Sequence, residues 1–141
     1  MLKFVHMNNN LHSRIQKALK NNPEILAVYV IGSTVSKRLT DKSDFDLVVV
    51  TQNKKVTTDD DVYELIRHIK FPRNLDLSVV DKSSSPIFLY QVIAKGERIY
   101  EKSKSQVNNF EAFVLHNYYD TSHLRNIYEK SLREKISSYA N

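Results

Sequence analysis

Four residues at a fixed spacing could carry out chemistry in this chain: Gly32, Ser33, Asp44 and Asp46. Gly32 has no Cβ and lets the backbone approach a ligand closely. Ser33 adds a hydroxyl and a backbone N–H. Asp44 and Asp46 supply carboxylate oxygens, the ligands that Mg²⁺ prefers, and Mg²⁺ usually keeps other sites for substrate phosphates. This combination predicts a site that binds a metal-bound nucleoside triphosphate and transfers a nucleotidyl group from it.

The residues on either side of the Gly-Ser pair predict how that pair is held. The apolar run 25–31 is typical of a buried strand, and it ends directly before Gly32. Residues 34–39 favour a short helix. A helix N-terminus attracts phosphate through its free N–H groups and its dipole. We therefore expect a phosphate-binding turn between the strand and this helix.

A second predicted strand, over residues 45–50, carries the two carboxylates at its start. The polar turn before it adds Ser43 to the candidate nucleotide-binding residues. Because side chains alternate between the two faces of a strand, Asp44 and Asp46 are expected to point the same way.

A third carboxylate, Asp76, lies near the start of another strand-like segment, 75–80. If this segment pairs with the strand of Asp46, the three acids can face one another. In two-metal chemistry, Asp44 and Asp46 would bridge the ions, and Asp76 would hold the ion nearest the attacking hydroxyl and help to deprotonate it. Asp81 lies on the same segment but is expected to begin the following loop.

The chain resembles the nucleotidyltransferase superfamily related to DNA polymerase beta, on the Gly-Ser…Asp-x-Asp pattern of residues 32–46. Within it, the chain is most similar to the minimal nucleotidyltransferases of the antitoxin type. The strand of Asp76, the hairpin-like piece 96–100 and the helical region 110–136 carry this similarity. The resemblance implies an α/β fold in which helices pack mainly on one face of a small mixed sheet.

The resemblance also implies an activity: transfer of AMP from ATP to a hydroxyl, with two Mg²⁺ ions held by the three aspartates. The implied acceptor is a tyrosine of a HEPN-domain toxin ribonuclease encoded nearby. Many minimal members carry an Arg-Gly pair shortly after the Gly-Ser, where this chain has Ser36 and Lys37. Lys37 or Arg38 is therefore the candidate for the phosphate contact.

Composition sets further limits. With 141 residues the chain is expected to form one domain, 1–141, with a helical C-terminal segment over about 104–139. It has no cysteine, which excludes disulfides and thiolate zinc sites. It shows neither a signal-peptide pattern nor an apolar run long enough to span a membrane, so a cytoplasmic location is expected. The net charge of +5 can draw in ATP. No basic cluster is interleaved with aromatic residues, so direct nucleic-acid binding is not expected.

Two polar tracts are best explained by helix ends. Residues 8–10, all asparagine, are predicted to form the N-cap region of a helix over 11–21. The acidic residues 59–61 are predicted to precede a helix over 62–70, because carboxylates stabilise a helix N-terminus, rather than to bind a metal.

Apolar residues at helical spacing over 110–136 predict a C-terminal apolar stripe. The stripe is expected to pack on the sheet. The alternative is a partner surface that includes Tyr118, Tyr119 and Tyr139, since tyrosine is favoured at interfaces.

Two other functions stay open beside the AMP-transferring antitoxin. One is a nucleotidyltransferase that modifies a small molecule such as an aminoglycoside. The other is an antitoxin that acts only by covering its toxin. The sequence also leaves open whether the protein forms homo- or hetero-oligomers.

Overall fold

The structure is a computed structural model that describes residues 2–31 and 44–140, with side chains over 10–31 and 44–139. Among these residues, no helix is both long and apolar enough to cross a membrane. In chain order, the helices and strands are α1 Leu2–Leu19, β1 Ile25–Ile31, β2 Phe45–Thr51, α2 Asp59–Ile66, β3 Leu75–Val80, α3 Pro86–Lys95, β4 Glu97–Glu101, α4 Lys104–Asp120 and α5 Ser122–Ala140.

The four strands of the described ranges form one mixed sheet in the order β3-β2-β1-β4. β1 runs antiparallel to both of its neighbours, and β2 runs parallel to β3. A parallel pair needs a crossover connection, and α2 lies within the connection from β2 to β3. The three strands predicted from apolar runs are confirmed, and so is the α/β fold class with a small mixed sheet.

Helices cover both faces of the sheet, which corrects the expectation that they pack mainly on one face. The reason is visible in β1 and β2, whose side chains are buried at successive positions rather than at alternate ones. One face packs against α1 and α2 through Ile15, Leu19, Val62 and Ile66. The other face packs against α3 and α4 through Leu89, Val92, Val107, Phe110 and Val114.

Two helix starts differ from the sequence prediction. α1 begins at Leu2, so the asparagines 8–10 lie within the helix and do not cap it. α2 begins at Asp59, earlier than predicted. Its N-cap is Thr58, whose hydroxyl accepts a hydrogen bond from the N–H of Asp61, while the Asp61 carboxylate accepts one from the N–H of Thr58. The interpretation of the acidic tract as a helix N-terminus is therefore confirmed.

The C-terminal apolar stripe divides between two helices with different surroundings. On α4, Val107, Phe110 and Val114 are buried against the sheet, as predicted. On α5, every side chain from 126 to 139 is exposed. The expectation that the whole stripe packs on the sheet is therefore wrong for α5, because a helical pattern shows which face is apolar but not what covers that face.

Candidate active site

The structure brings Asp46 and Asp76 side by side. Asp46 is the second residue of β2, Asp76 is the second residue of β3, and the two are direct partners in the parallel register. Asp44 lies exposed, immediately before β2. The sequence prediction that Asp76 can face the other two acids depended on this strand pairing, which the structure contains.

The start of β2 is fixed by one hydrogen bond and one aromatic contact. The N–H of Phe45 donates to the carbonyl oxygen of Asn74 at 2.7 Å, which ties β2 to the residue before β3. The Phe45 side chain is buried, and its ring centroid lies 5.3 Å from that of Phe71. Because Phe45 occupies one face of the sheet, Asp46 must project from the other, beside Asp76.

The carboxylates affect one another electrostatically. Partial burial raises the pKa of Asp46 above its ordinary value, and the neighbouring charges of Asp76 and then Asp44 raise it further. Like charges held this close favour a proton or a cation between them. The site is therefore arranged to gain from a bound positive ion.

The donor set fits Mg²⁺ only in combination with a further ligand. Within the described ranges, no group of three acidic or histidine side chains is arranged to hold a metal ion by itself. Mg²⁺ is commonly bound by one or two carboxylates together with water and substrate phosphates. Asp46 and Asp76, with Asp44 at their edge, match this type of site, in which the phosphates complete the coordination.

The predicted phosphate-binding residues Gly32, Ser33, Lys37, Arg38 and Ser43 lie outside the described residues, as does the predicted helix over 34–39. The structure does describe the residue that comes immediately before them in the sequence. The last residue of β1, which directly precedes Gly32 in the sequence, is the register partner of Asp46. The chain therefore leaves β1 next to the carboxylates.

Asp81 directly follows β3 and begins the next loop, as predicted. Its carboxylate accepts hydrogen bonds from the N–H of Lys54 at 2.9 Å and from the N–H of Ser83 at 2.8 Å. Burial favours the neutral form of Asp81, but these hydrogen bonds outweigh that effect and lower its pKa. Asp81 therefore fastens the loop after β3 to the loop after β2.

We expect Asp81→Asn to lower the free energy of unfolding by about 1.5–3 kcal/mol at neutral pH, because hydrogen bonds to a buried charge are lost. Since the pKa of Asp81 is lowered in the folded state, its contribution is present above the unfolded pKa of about 4 and disappears as the pH falls through the folded pKa. Urea denaturation at neutral and acidic pH measures both effects. Asp60→Asn, at an exposed position in α2, is the control, and an equal loss in the control would contradict this role.

The sequence analysis missed a polar network around the buried Tyr29, on the same face of the sheet as Asp46. The Tyr29 hydroxyl donates to Oε1 of Glu111 at 2.6 Å, and Arg98 donates to the same oxygen at 3.0 Å. Burial, together with Glu111, raises the pKa of Tyr29, so the phenol stays protonated and acts as a donor. A tyrosine within an otherwise aliphatic strand was the available signal, because a buried hydroxyl needs a partner.

A cavity of about 320 Å³ lies at the opposite end of the sheet from the carboxylates. It is lined by Leu26 near the start of β1, by Thr51 at the end of β2 and by residues of α4. Asp46, by contrast, is next to the start of β2 and the end of β1. The cavity is therefore separate from the candidate site.

The described residues thus form a mixed sheet with acidic side chains on two neighbouring strands and helices on both faces. The family model described as Polymerase beta, Nucleotidyltransferase matches residues 13–105. This is well over half of the sequence, and the chain belongs to this family. No curated protein matches the chain.

Solved structures support the same fold. A tri-AMPylated Shewanella oneidensis HEPN toxin in complex with MNT antitoxin matches with a TM-score of 0.66 and 17% identity, over 89% of this chain and 98% of the other. A toxin–antitoxin structure with AMP-PNP matches with a TM-score of 0.63 and 19% identity, over 89% and 98%. A Sulfolobus solfataricus protein described as a putative nucleotidyltransferase matches with a TM-score of 0.50 and 21% identity, over 71% and 85%. These matches show the fold, and the family model shows the predicted nucleotidyltransferase superfamily.

Proposed function

We propose that this protein is an antitoxin that transfers AMP from ATP to a tyrosine hydroxyl of a HEPN-domain toxin and thereby neutralises it. The observation that carries the proposal is the pairing of Asp46 with Asp76 on adjacent strands, with Asp44 close enough to raise the pKa of Asp46. The choice of AMP and of a HEPN acceptor is supported by the family and by the AMPylated toxin complex that this fold resembles.

Asp44, Asp46 and Asp76 are the residues that would hold Mg²⁺. When bound, Mg²⁺ neutralises phosphate charge and makes the attacking hydroxyl more acidic. Asp76 would accept the proton of the acceptor hydroxyl at a carboxylate oxygen. The hydroxyl oxygen then forms a bond to the α-phosphorus of ATP, the bond from that phosphorus to the bridging oxygen breaks, and pyrophosphate leaves.

The proposal is tested by intact mass spectrometry of the HEPN-domain protein proposed as the partner, after incubation with this chain, ATP and Mg²⁺. We expect a gain of one or more AMP units. The double variant Asp44→Asn, Asp46→Asn is the control and should give no gain. A stable complex without any mass gain would support neutralisation by binding alone, and transfer to an aminoglycoside in the absence of a partner would support a small-molecule enzyme.

A further inference from the structure

α5 presents an unusual apolar surface. Eleven large apolar side chains are exposed among the described residues, and six of them lie on this one helix, each between 43% and 77% exposed. The other five are scattered over the loop after β2 and over α2, α3 and α4. We call the six residues the α5 stripe: Leu124, Ile127, Tyr128, Leu132, Ile136 and Tyr139.

The α5 stripe covers one side of its helix. With 3.6 residues per turn, its six positions fall within an arc of roughly 180°. Asn126, Lys130 and Ser137 lie on the opposite side. The same arc also holds Arg125, Ser131, Lys135 and Ser138, so the apolar row is interrupted by polar side chains. Large exposed apolar residues that all lie on one side of a helix are typical of an interaction surface.

The direction of α5 is fixed where it meets α4. The guanidinium of Arg125 donates to the Tyr118 carbonyl oxygen at 2.8 Å and lies 4.0 Å from the centre of the Tyr118 ring. Tyr118 in turn stacks on Tyr90 of α3, with ring centroids 3.9 Å apart. Arg125 also donates to the Thr121 hydroxyl between the two helices. The stripe is therefore presented in a defined direction, which lowers the entropic cost of binding.

We propose that the α5 stripe is the docking surface for the acceptor protein, and that it inserts into an apolar groove on the HEPN toxin. This inference rests on the proposed function, since it assigns the surface that holds the acceptor. An amphipathic helix in an apolar groove is a common recognition mode, with anchors at the spacings found here.

A positive charge within the α5 stripe indicates which kind of partner would bind there. Lys135 lies within the arc of the stripe, three residues after Leu132 and four before Tyr139. Burying the stripe brings this ammonium close to the interface, which is costly unless the partner supplies a carboxylate. A second copy in parallel register would place Lys135 against Lys135, and a second copy in antiparallel register is an outcome that light scattering distinguishes. The pattern therefore favours a different partner whose groove carries an acidic residue opposite Lys135.

The test measures the affinity of the purified HEPN protein for full-length variants by calorimetry. All variants carry Asp44→Asn and Asp46→Asn, so that the partner is not modified during the measurement. We expect Leu132→Ser with Ile136→Ser to weaken binding by at least about 100-fold. The matched control on the opposite side, Asn126→Ala with Ser137→Ala, should bind like the parent.

A second pair of variants tests the charge. Lys135→Ala should weaken binding about tenfold, because a buried partner carboxylate loses its cation. Lys130→Ala removes the same charge from the opposite side and should change the affinity by no more than about twofold. Equal effects of the two substitutions would overturn the assignment of the acidic groove.

Three outcomes separate this inference from the proposed function. Binding that depends on the α5 stripe, without AMP transfer by the wild type, would sustain the surface and reject the chemistry. AMP transfer by the wild type, with unchanged affinity in the stripe variants, would sustain the chemistry and overturn the surface. A dimer of this chain alone that Leu132→Ser with Ile136→Ser dissociates, seen by light scattering, would make a second copy the occupant and overturn the inference.

Discussion

If the proposed reaction holds, Asp46→Asn lowers the rate of AMP transfer by about 10³-fold or more, since this carboxylate is one of those proposed to hold Mg²⁺ at the developing charge. Asparagine keeps the size of the side chain but removes the negative charge that faces Asp76. Single-turnover transfer to the HEPN protein at saturating ATP and Mg²⁺ measures the effect on the chemical step. Asp60→Asn removes a carboxylate of the same type from an exposed position and should leave the rate unchanged.

The same substitution is expected to stabilise the folded protein at neutral pH when Mg²⁺ is absent. Burial and the charges of Asp76 and Asp44 raise the pKa of Asp46, so the folded state holds its proton to higher pH than the unfolded state does. Stability therefore falls as the pH rises from the unfolded pKa of about 4 through the folded pKa, and an asparagine avoids this loss.

Thermal unfolding of wild type and Asp46→Asn, with EDTA, measures this difference in stability. The melting temperature of the variant should be higher at pH 7, and the difference should shrink in acid, where the wild-type carboxylate is protonated. A variant that is inactive and also less stable at pH 7 would point to misfolding and contradict the electrostatic account.

The carboxylate pair shows how far sequence reasoning reaches. The strands of Asp46 and Asp76 are apolar runs rich in β-branched residues, so their existence and the alternation of their side chains are determined locally. Their adjacency is not local. It depends on β3 pairing with β2 in parallel, at the edge of the sheet opposite β4, and many strand orders are compatible with the same apolar runs.

The packing of the helices was harder to predict from the sequence than the strands were. The burial of both sheet faces had a signal, because β1 and β2 are apolar at successive positions. The exposure of α5 had none, because an apolar stripe looks the same in sequence whether the sheet, a partner or solvent faces it. The network of Tyr29 with Glu111 was also hidden, since the two residues are 82 positions apart along the chain.

Phe45→Ala is expected to lower the free energy of unfolding by about 3–5 kcal/mol, because a fully buried aromatic ring is removed and a cavity is left. The Phe45 ring fills the core on one face and contacts Phe71, while Asp44 and Asp46 are its chain neighbours. Loss of the ring should therefore loosen the start of β2 and displace both carboxylates. We expect the rate of AMP transfer per folded molecule to fall at least about tenfold, because small misplacements of reacting groups slow a reaction.

Phe110→Ala is the matched control for this second effect. Phe110 is 2% exposed and Phe45 is 1% exposed, but Phe110 lies on α4 at the opposite face, beside the cavity far from the carboxylates. Urea denaturation should show a similar loss of stability in both variants. Transfer rates measured well below both unfolding transitions should fall only in Phe45→Ala, because only that ring positions β2 at its start. Equal transfer rates in the two variants would show that Phe45 supports the core alone and does not position the acids.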